Sequence, residues 1–136
     1  MRTDVNGNVY VTSIVGRTNL QIADKPKTTY STFGLNNMVV AAFSCEGNYK
    51  WSKVIGGYYD ANTLYAAADG QRNVYIAGYV VPTGNNVSPS PHFDSDVILP
   101  SSPNNSNTFK QLLFLIKYDS EGNYQVAPFA ATSRCK

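Results

Sequence analysis

The feature that most constrains the fold of this 136-residue chain is an internal repeat. The segment DVNGNVYVT at residues 4–12 matches DGQRNVYIA at residues 69–77, and VVAAFSCEGNY at residues 39–49 matches FLIKYDSEGNY at residues 114–124. The first pair is offset by 65 positions and the second by 75, and their order is the same in both copies. Repeats with a period of tens of residues are typical of architectures that stack one supersecondary unit. The sequence therefore predicts one duplicated unit with a longer internal connection in its second copy.

The matched segments have the composition of antiparallel β-strands. Runs rich in Val, Ile and Tyr flank short turns that contain Gly and Asn, which is the pattern of β-hairpins. The sequence predicts an all-β fold built from about two four-stranded antiparallel units, with a first unit at residues 1–59 and a second at residues 60–136. The strands predicted for the second unit are Thr63–Ala68, Val74–Val80, Leu112–Tyr118 and Tyr124–Phe129.

The residues of the two units follow a common order. In the first unit its positions are Asp4, Gly7-Asn8, Val9-Tyr10-Val11, Phe43, Gly47-Asn48, Trp51 and Gly56-Gly57. In the second they are Asp69, Asn73, Val74-Tyr75-Ile76, Gly78, Lys117-Tyr118-Asp119 and Gly122-Asn123. In these residues the chain resembles the seven-bladed β-propeller repeat family. The resemblance implies that each unit is one four-stranded propeller blade, a fold that carries many unrelated functions.

Two blades are incomplete as a ring, because a propeller closes with about four blades or more. The residue equivalent to Thr63 would precede Met1, so the first blade is expected to have a truncated inner strand. We expect further copies or a larger protein partner to complete the propeller. Without such a partner, the first unit should expose apolar strand positions, namely Val9, Val11, Val39, Ala41 and Phe43.

The charge pattern and the residue types exclude several classes of function. A net charge of +2 without a basic run predicts no nucleic-acid partner, and no apolar stretch reaches the roughly 20 residues of a membrane span. His92 is the single histidine, and no Gly-x-Ser-x-Gly pattern is present, so the sequence predicts no enzyme and no cofactor. Cys45 and Cys135 are expected to be free thiols, with a disulfide between them as the alternative.

The preferred function is a non-catalytic structural or protein-interaction module, with the connections Arg17–Asn36 and Pro82–Thr108 as loops that carry specificity. The alternative is a carbohydrate-binding, lectin-like propeller. The resemblance implies a component of a cell surface or a virion, since related repeats occur on bacterial and archaeal surfaces and in large DNA viruses. The sequence itself does not define a compartment.

Four aromatic residues are the candidate interaction residues, because flat rings can contact sugars or protein partners: Trp51, Tyr58, Tyr59 and Tyr79. The alternative is that Trp51 packs between the units and the tyrosines line half-buried strand faces. A strand through His92, Asp94 and Asp96 would place three potential metal ligands on one side. The Pro-, Asn- and Ser-rich loop around them favours solvated polar turns over a metal site.

Overall fold

The computed structural model describes residues 1–16, 20–27, 36–56, 61–80, 92–93 and 112–126. These residues form β-strands and turns, and none of them is helical, which confirms the predicted all-β class. The described strands are β1 (Arg2–Thr3), β2 (Val9–Val15), β3 (Gln21–Ile22), β4 (Lys25–Pro26), β5 (Asn37–Phe43), β6 (Tyr49–Gly56), β7 (Ala61–Ala68), β8 (Val74–Val80), β9 (His92–Phe93), β10 (Leu112–Tyr118) and β11 (Tyr124–Val126).

The strands form two large antiparallel sheets, neither of which closes on itself. The first sheet has the order β1-β2-β5-β6-β9, and the second has the order β7-β8-β10-β11. A separate hairpin joins β3 and β4. Strands β8 and β10 have the predicted bounds, whereas β7 begins two residues earlier than expected, at Ala61. Residues 127–129 of the predicted last strand lie outside the described part of the chain.

Four hairpins are closed by turns of the same form, at residues 4–8, 44–48, 69–73 and 119–123. In the first turn the Asp4 N–H donates to the Asn8 carbonyl at 3.0 Å, and the Gly7 N–H donates to the Asp4 carbonyl at 3.1 Å. The fourth residue of every turn has a positive φ, between 68° and 84°. The hairpins alternate with longer connections within each sheet, so the four turns lie at the same ends of their sheets. We call this region the turn end.

The hydrophobic core lies between the two sheets. Successive side chains of a strand point to opposite faces, and in β8 the residues Val74, Ile76, Gly78 and Val80 are buried while those between them are half-buried. The principal buried side chains of this core are Tyr10, Met38, Val40, Ala42, Trp51, Ile55, Val74, Ile76, Val80, Phe93, Phe114, Ile116 and Tyr118.

The fifth strand of the first sheet comes from the second copy of the repeat. Strand β9 pairs with β6 through Phe93 opposite Ile55 and His92 opposite Gly56. Phe93 is 1% exposed, and its ring centroid lies 4.9 Å from that of Phe114. The prediction of solvated turns was therefore wrong at this point, because burial of one Phe outweighs the polar composition around it. The predicted loop Arg17–Asn36 likewise contains the β3–β4 hairpin.

Candidate interaction surface

The two sheets pack through faces that are not equivalent in the repeat. Tyr10 and Val40 of the first sheet belong to the core between the sheets. Their counterparts in the second copy, Tyr75 and Leu115, lie on the outer face of the second sheet, away from that core. In the second sheet, the residues that face the first sheet are those on the other side, such as Ile76. The first unit thus contacts the second through its Tyr10 face, whereas the second unit contacts the first through the face that does not carry Tyr75.

This arrangement leaves an apolar surface on the second sheet, which we call the open face. Adjacent strands bring its residues side by side, with Tyr65 opposite Ala77 and Ala77 opposite Leu115. Tyr65 is 57% exposed, Leu113 55% and Leu115 42%. The open face comprises Tyr65, Ala67, Tyr75, Ala77, Tyr79, Leu113, Leu115 and Lys117. Because exposed apolar patches can mark contact surfaces, the open face is the candidate interaction surface.

Among the described residues, two cations lie over aromatic rings of the open face. The guanidinium carbon of Arg2, from the first unit, is 5.1 Å from the centroid of the Tyr65 ring. The Lys117 ammonium nitrogen is 5.5 Å from the centroid of the Tyr75 ring, within the range of a cation–π interaction. Ala42 occupies the equivalent position in the first copy, where it is buried in the core. Lys117 is therefore a polar feature of the open face that the packed face of the first unit lacks.

The outer face of the first sheet differs from the expectation drawn from the sequence. Val39 is 6% exposed and Ala41 is 4% exposed, so the prediction of exposed apolar residues was wrong at these two positions. Val9, Val11 and Phe43 are half-buried. The large exposed apolar surface is on the second sheet because the second copy, unlike the first, has no sheet packed on its Tyr75 side among the described residues.

Polar contacts accompany the packing of the first unit on the second. The Arg2 side chain donates from Nε to the Ala66 carbonyl at 3.1 Å and from Nη2 to the Tyr65 hydroxyl at 3.2 Å. The Trp51 indole N–H donates to the Ser120 carbonyl at 3.0 Å. The latter acceptor belongs to a turn of the neighbouring unit, so the turn end contributes directed hydrogen bonds to the apolar interface.

Carboxylates organise three of the four turns. Asp4 Oδ1 accepts the backbone N–H groups of Asn6 and Asn8, and Asp4 Oδ2 accepts the Asn8 amide at 2.8 Å and the Tyr10 hydroxyl at 3.2 Å. Burial alone would raise the pKa of Asp4, but these hydrogen bonds outweigh it and lower the pKa below its ordinary value. Burial and the Asp4 charge together raise the pKa of Tyr10 to about 12.

Asp69 and Asp119 occupy the same position in their turns. The Asn73 side chain and backbone are the main causes of a lowered pKa at Asp69. At Asp119, burial opposes the shift, and hydrogen bonds led by the Asn123 side chain again lower the pKa. All three carboxyl groups are thus held in the ionised form by their own turns.

These lowered pKa values predict acid sensitivity. A carboxyl whose pKa is lower in the folded state than in the unfolded state stabilises the fold above its unfolded pKa, and that contribution is lost as pH falls through the folded pKa. We therefore expect the free energy of unfolding to fall as pH drops below about 4. The double variant Asp4→Asn and Asp119→Asn should show a shallower decline in denaturant unfolding measured from about pH 6 to about pH 2.

Asp24→Asn is the matched control for this experiment, because Asp24 is an exposed carboxyl outside the four turns. Its decline with pH should follow that of the unmodified chain. Identical pH profiles for the double variant and the unmodified chain would contradict the role of the turn carboxylates.

The structure separates the residues that the sequence singled out. Trp51 is 7% exposed and lies between the sheets, with its ring centroid 5.6 Å from that of Tyr118. Tyr79 is half-buried on the open face. Tyr58 and Tyr59 lie outside the described residues.

The weak metal candidates are only partly described. His92 is in β9 and is half-buried, and burial lowers its pKa. Asp94 and Asp96 lie outside the described residues. Within the described part of the chain, no three His, Cys, Asp or Glu side chains come together as a metal site. Cys45 is exposed in its turn, and Cys135 is outside the described residues.

Leu113, Leu115 and Lys117 of the open face were not predicted from the sequence to be interaction residues. The signal for them is the run LLFLIKY at residues 112–118, which is apolar at both odd and even positions. A strand of that kind is typical of a sheet covered on both faces.

The described residues include no helix long and apolar enough to cross a membrane. No family model, curated protein or solved structure matches the chain.

Proposed function

We propose that this chain is a non-catalytic structural or protein-interaction module, in which the two sheets are consecutive blades of a propeller-like array. The observation that carries the proposal is the packing of non-equivalent faces. A contact between unlike faces leaves one face of the last unit without its partner, so it can be repeated to form a ring or an open array. The four-stranded order β7-β8-β10-β11 and the repeat pattern support the assignment to blades.

The open face is the interaction surface of this module. Tyr65, Leu113 and Leu115 are exposed in the chain alone. Removing apolar surface from water is favourable by roughly 25 cal/mol for each Å², from which the entropic cost of association is subtracted. Further copies or a larger protein are the partners that fit such a broad surface. The resemblance to propeller repeats of cell surfaces and virions is the support for placing the module in assemblies of that kind.

The chemistry of the open face favours a protein sheet over a sugar. Carbohydrate recognition combines an aromatic platform with convergent polar groups. Tyr75 and Tyr79 have Ala77 and Leu113 as described neighbours on the face, and the two cations at the face, Arg2 and Lys117, lie over the rings of Tyr65 and Tyr75. This composition resembles the contact between the two sheets more than it resembles a lectin pocket.

The proposal predicts association that depends on the open face. In the chain alone, light scattering at micromolar concentration should show assemblies larger than one chain, in which the open faces of two copies cover each other, and Leu115→Lys should convert them to monomers. The reason is that a lysine at the centre of the contact would have to be buried without a partner. Val5→Lys is the matched control, because Val5 is 72% exposed in the first turn, away from this face.

Association that is equally lost in Val5→Lys, or equally retained in Leu115→Lys, would contradict the open face as the contact. A chain that stays monomeric, with its open face accessible at every concentration and in the presence of a lysate from its source, would contradict the proposed function as a whole.

A further inference from the structure

The packing of the first unit against the second indicates which kind of partner would cover the open face. We infer that its partner is a further unit of this same repeat, an antiparallel sheet whose contact side carries β-branched and phenylalanine side chains. The inference rests on the proposed function and names the partner of that same surface. The pattern expected on the partner is that of Val74, Ile76, Phe114 and Ile116.

The first argument is the internal precedent. Met38 and Val40 of the first unit are fully buried where they face the second sheet. Their equivalents are Leu113 and Leu115, which project from the open face at the same strand positions. The open face therefore presents, in the same register, residues of the size and polarity that already pack on a sheet of this repeat.

The second argument is a polar group that has the same geometry in both copies. The Tyr10 hydroxyl lies 3.2 Å from Asp4 Oδ2 and 3.5 Å from the Arg72 carbonyl in the turn of the neighbouring unit. The Tyr75 hydroxyl lies 3.3 Å from Asp69 Oδ2 in the same way. A further unit would bring its own turn carbonyl to Tyr75, as the second unit brings Arg72 to Tyr10.

The third argument excludes the first sheet of another copy as the occupant. The face of that sheet equivalent to the expected partner surface includes Val39 and Ala41, which are already buried within the chain. The same face of the second unit, which carries Ile76 and Ile116, is also buried, in the core between the sheets. The occupant is thus a further repeat unit whose face of this type is exposed, and not a unit packed as in this chain.

A three-unit chain tests this inference. A second copy of residues 61–136 is joined after Lys136. Leu115 of the original chain, but not of the appended copy, is replaced by Cys. Cys45 and Cys135, the latter in both copies, are replaced by Ser. The rate of maleimide alkylation at position 115 should fall at least about tenfold relative to the two-unit chain, because a covered side chain reacts only after local opening. Val5→Cys in the same background should react equally fast in both chains.

A variant of the appended unit separates specific docking from simple crowding. Ile76→Lys and Ile116→Lys within the appended copy place charges on its contact side, so the alkylation rate at position 115 should return to that of the two-unit chain. An unchanged rate in the unmodified three-unit chain, or protection that survives these two lysines, overturns the inference. Leu115→Lys in light scattering reports on the proposed function separately, because self-association through the open face can hold while the appended unit fails to dock.

Discussion

Replacing Trp51 with alanine is expected to lower the free energy of unfolding by about 3–5 kcal/mol, the usual cost of deleting a large buried aromatic side chain. The indole packs between the sheets, with ring centroids at 6.1 Å from Tyr10 and 5.6 Å from Tyr118. Its N–H also donates to the Ser120 carbonyl, which would lose that partner. The substitution therefore removes both packing and a directed hydrogen bond between the two units.

Circular dichroism should follow this unfolding, since Trp51 is the only tryptophan and its fluorescence disappears with it. Trp51→Phe is the informative control, because it keeps an aromatic ring in the core and removes the N–H donor. We expect its cost to be well below that of alanine. Stability close to that of the unmodified chain in Trp51→Ala, together with loss of partner binding, would make Trp51 a binding residue instead.

Gly122→Ala should destabilise the chain by about 3 kcal/mol, because the left-handed backbone costs a non-glycine residue about 1–2 kcal/mol and overpacking adds about as much. Gly122 has a φ of 81°, and a Cβ built there would lie 2.7 Å from Cδ2 of the Trp51 ring. The turn and the indole cannot both keep their positions when that methyl group is present.

Gly47→Ala is the matched control, because Gly47 has nearly the same φ, 84°, with no atom near the built Cβ. Its expected cost is the backbone contribution alone, about 1–2 kcal/mol. Urea unfolding of both variants measures the difference. Equal losses at the two glycines would show that the Trp51 contact at Gly122 is relaxed without cost.

The repeat in the sequence was sufficient to predict the all-β class and most of the strand framework. The bounds of β8 and β10 are confirmed, because Val, Ile and Tyr runs next to Gly-Asn turns specify strand and hairpin by local chemistry. Turn positions follow for the same reason, since only a few residues tolerate a positive φ. Within the four turns of common form, Arg72, with a φ of 68°, is the residue that this rule would not have selected.

The candidate surface was predicted less well, since it depends on which faces of the two sheets meet. Local patterning gives each strand two apolar sides and does not state which one a neighbour covers, so Val39 and Ala41 were expected to be exposed and Leu115 was overlooked. Strand β9 was missed for a related reason. Phe93 lies in a polar run, and its packing against Ile55 and Phe114, both distant in the sequence, makes it a core residue.

From the late position of β9 in the sequence we expect the first sheet to be completed late in folding. The edge of β6 is completed by His92 and Phe93, and the pairing of Phe93 with Ile55 spans 38 positions of sequence. Until those residues leave the ribosome, the first sheet has an unpaired strand edge, which is a hazard for aggregation. Closing so long a connection also delays the pairing, because non-local contacts form late. The two repeat units should therefore fold as one cooperative unit, in which the first sheet is completed only after residues of the second unit have been synthesised.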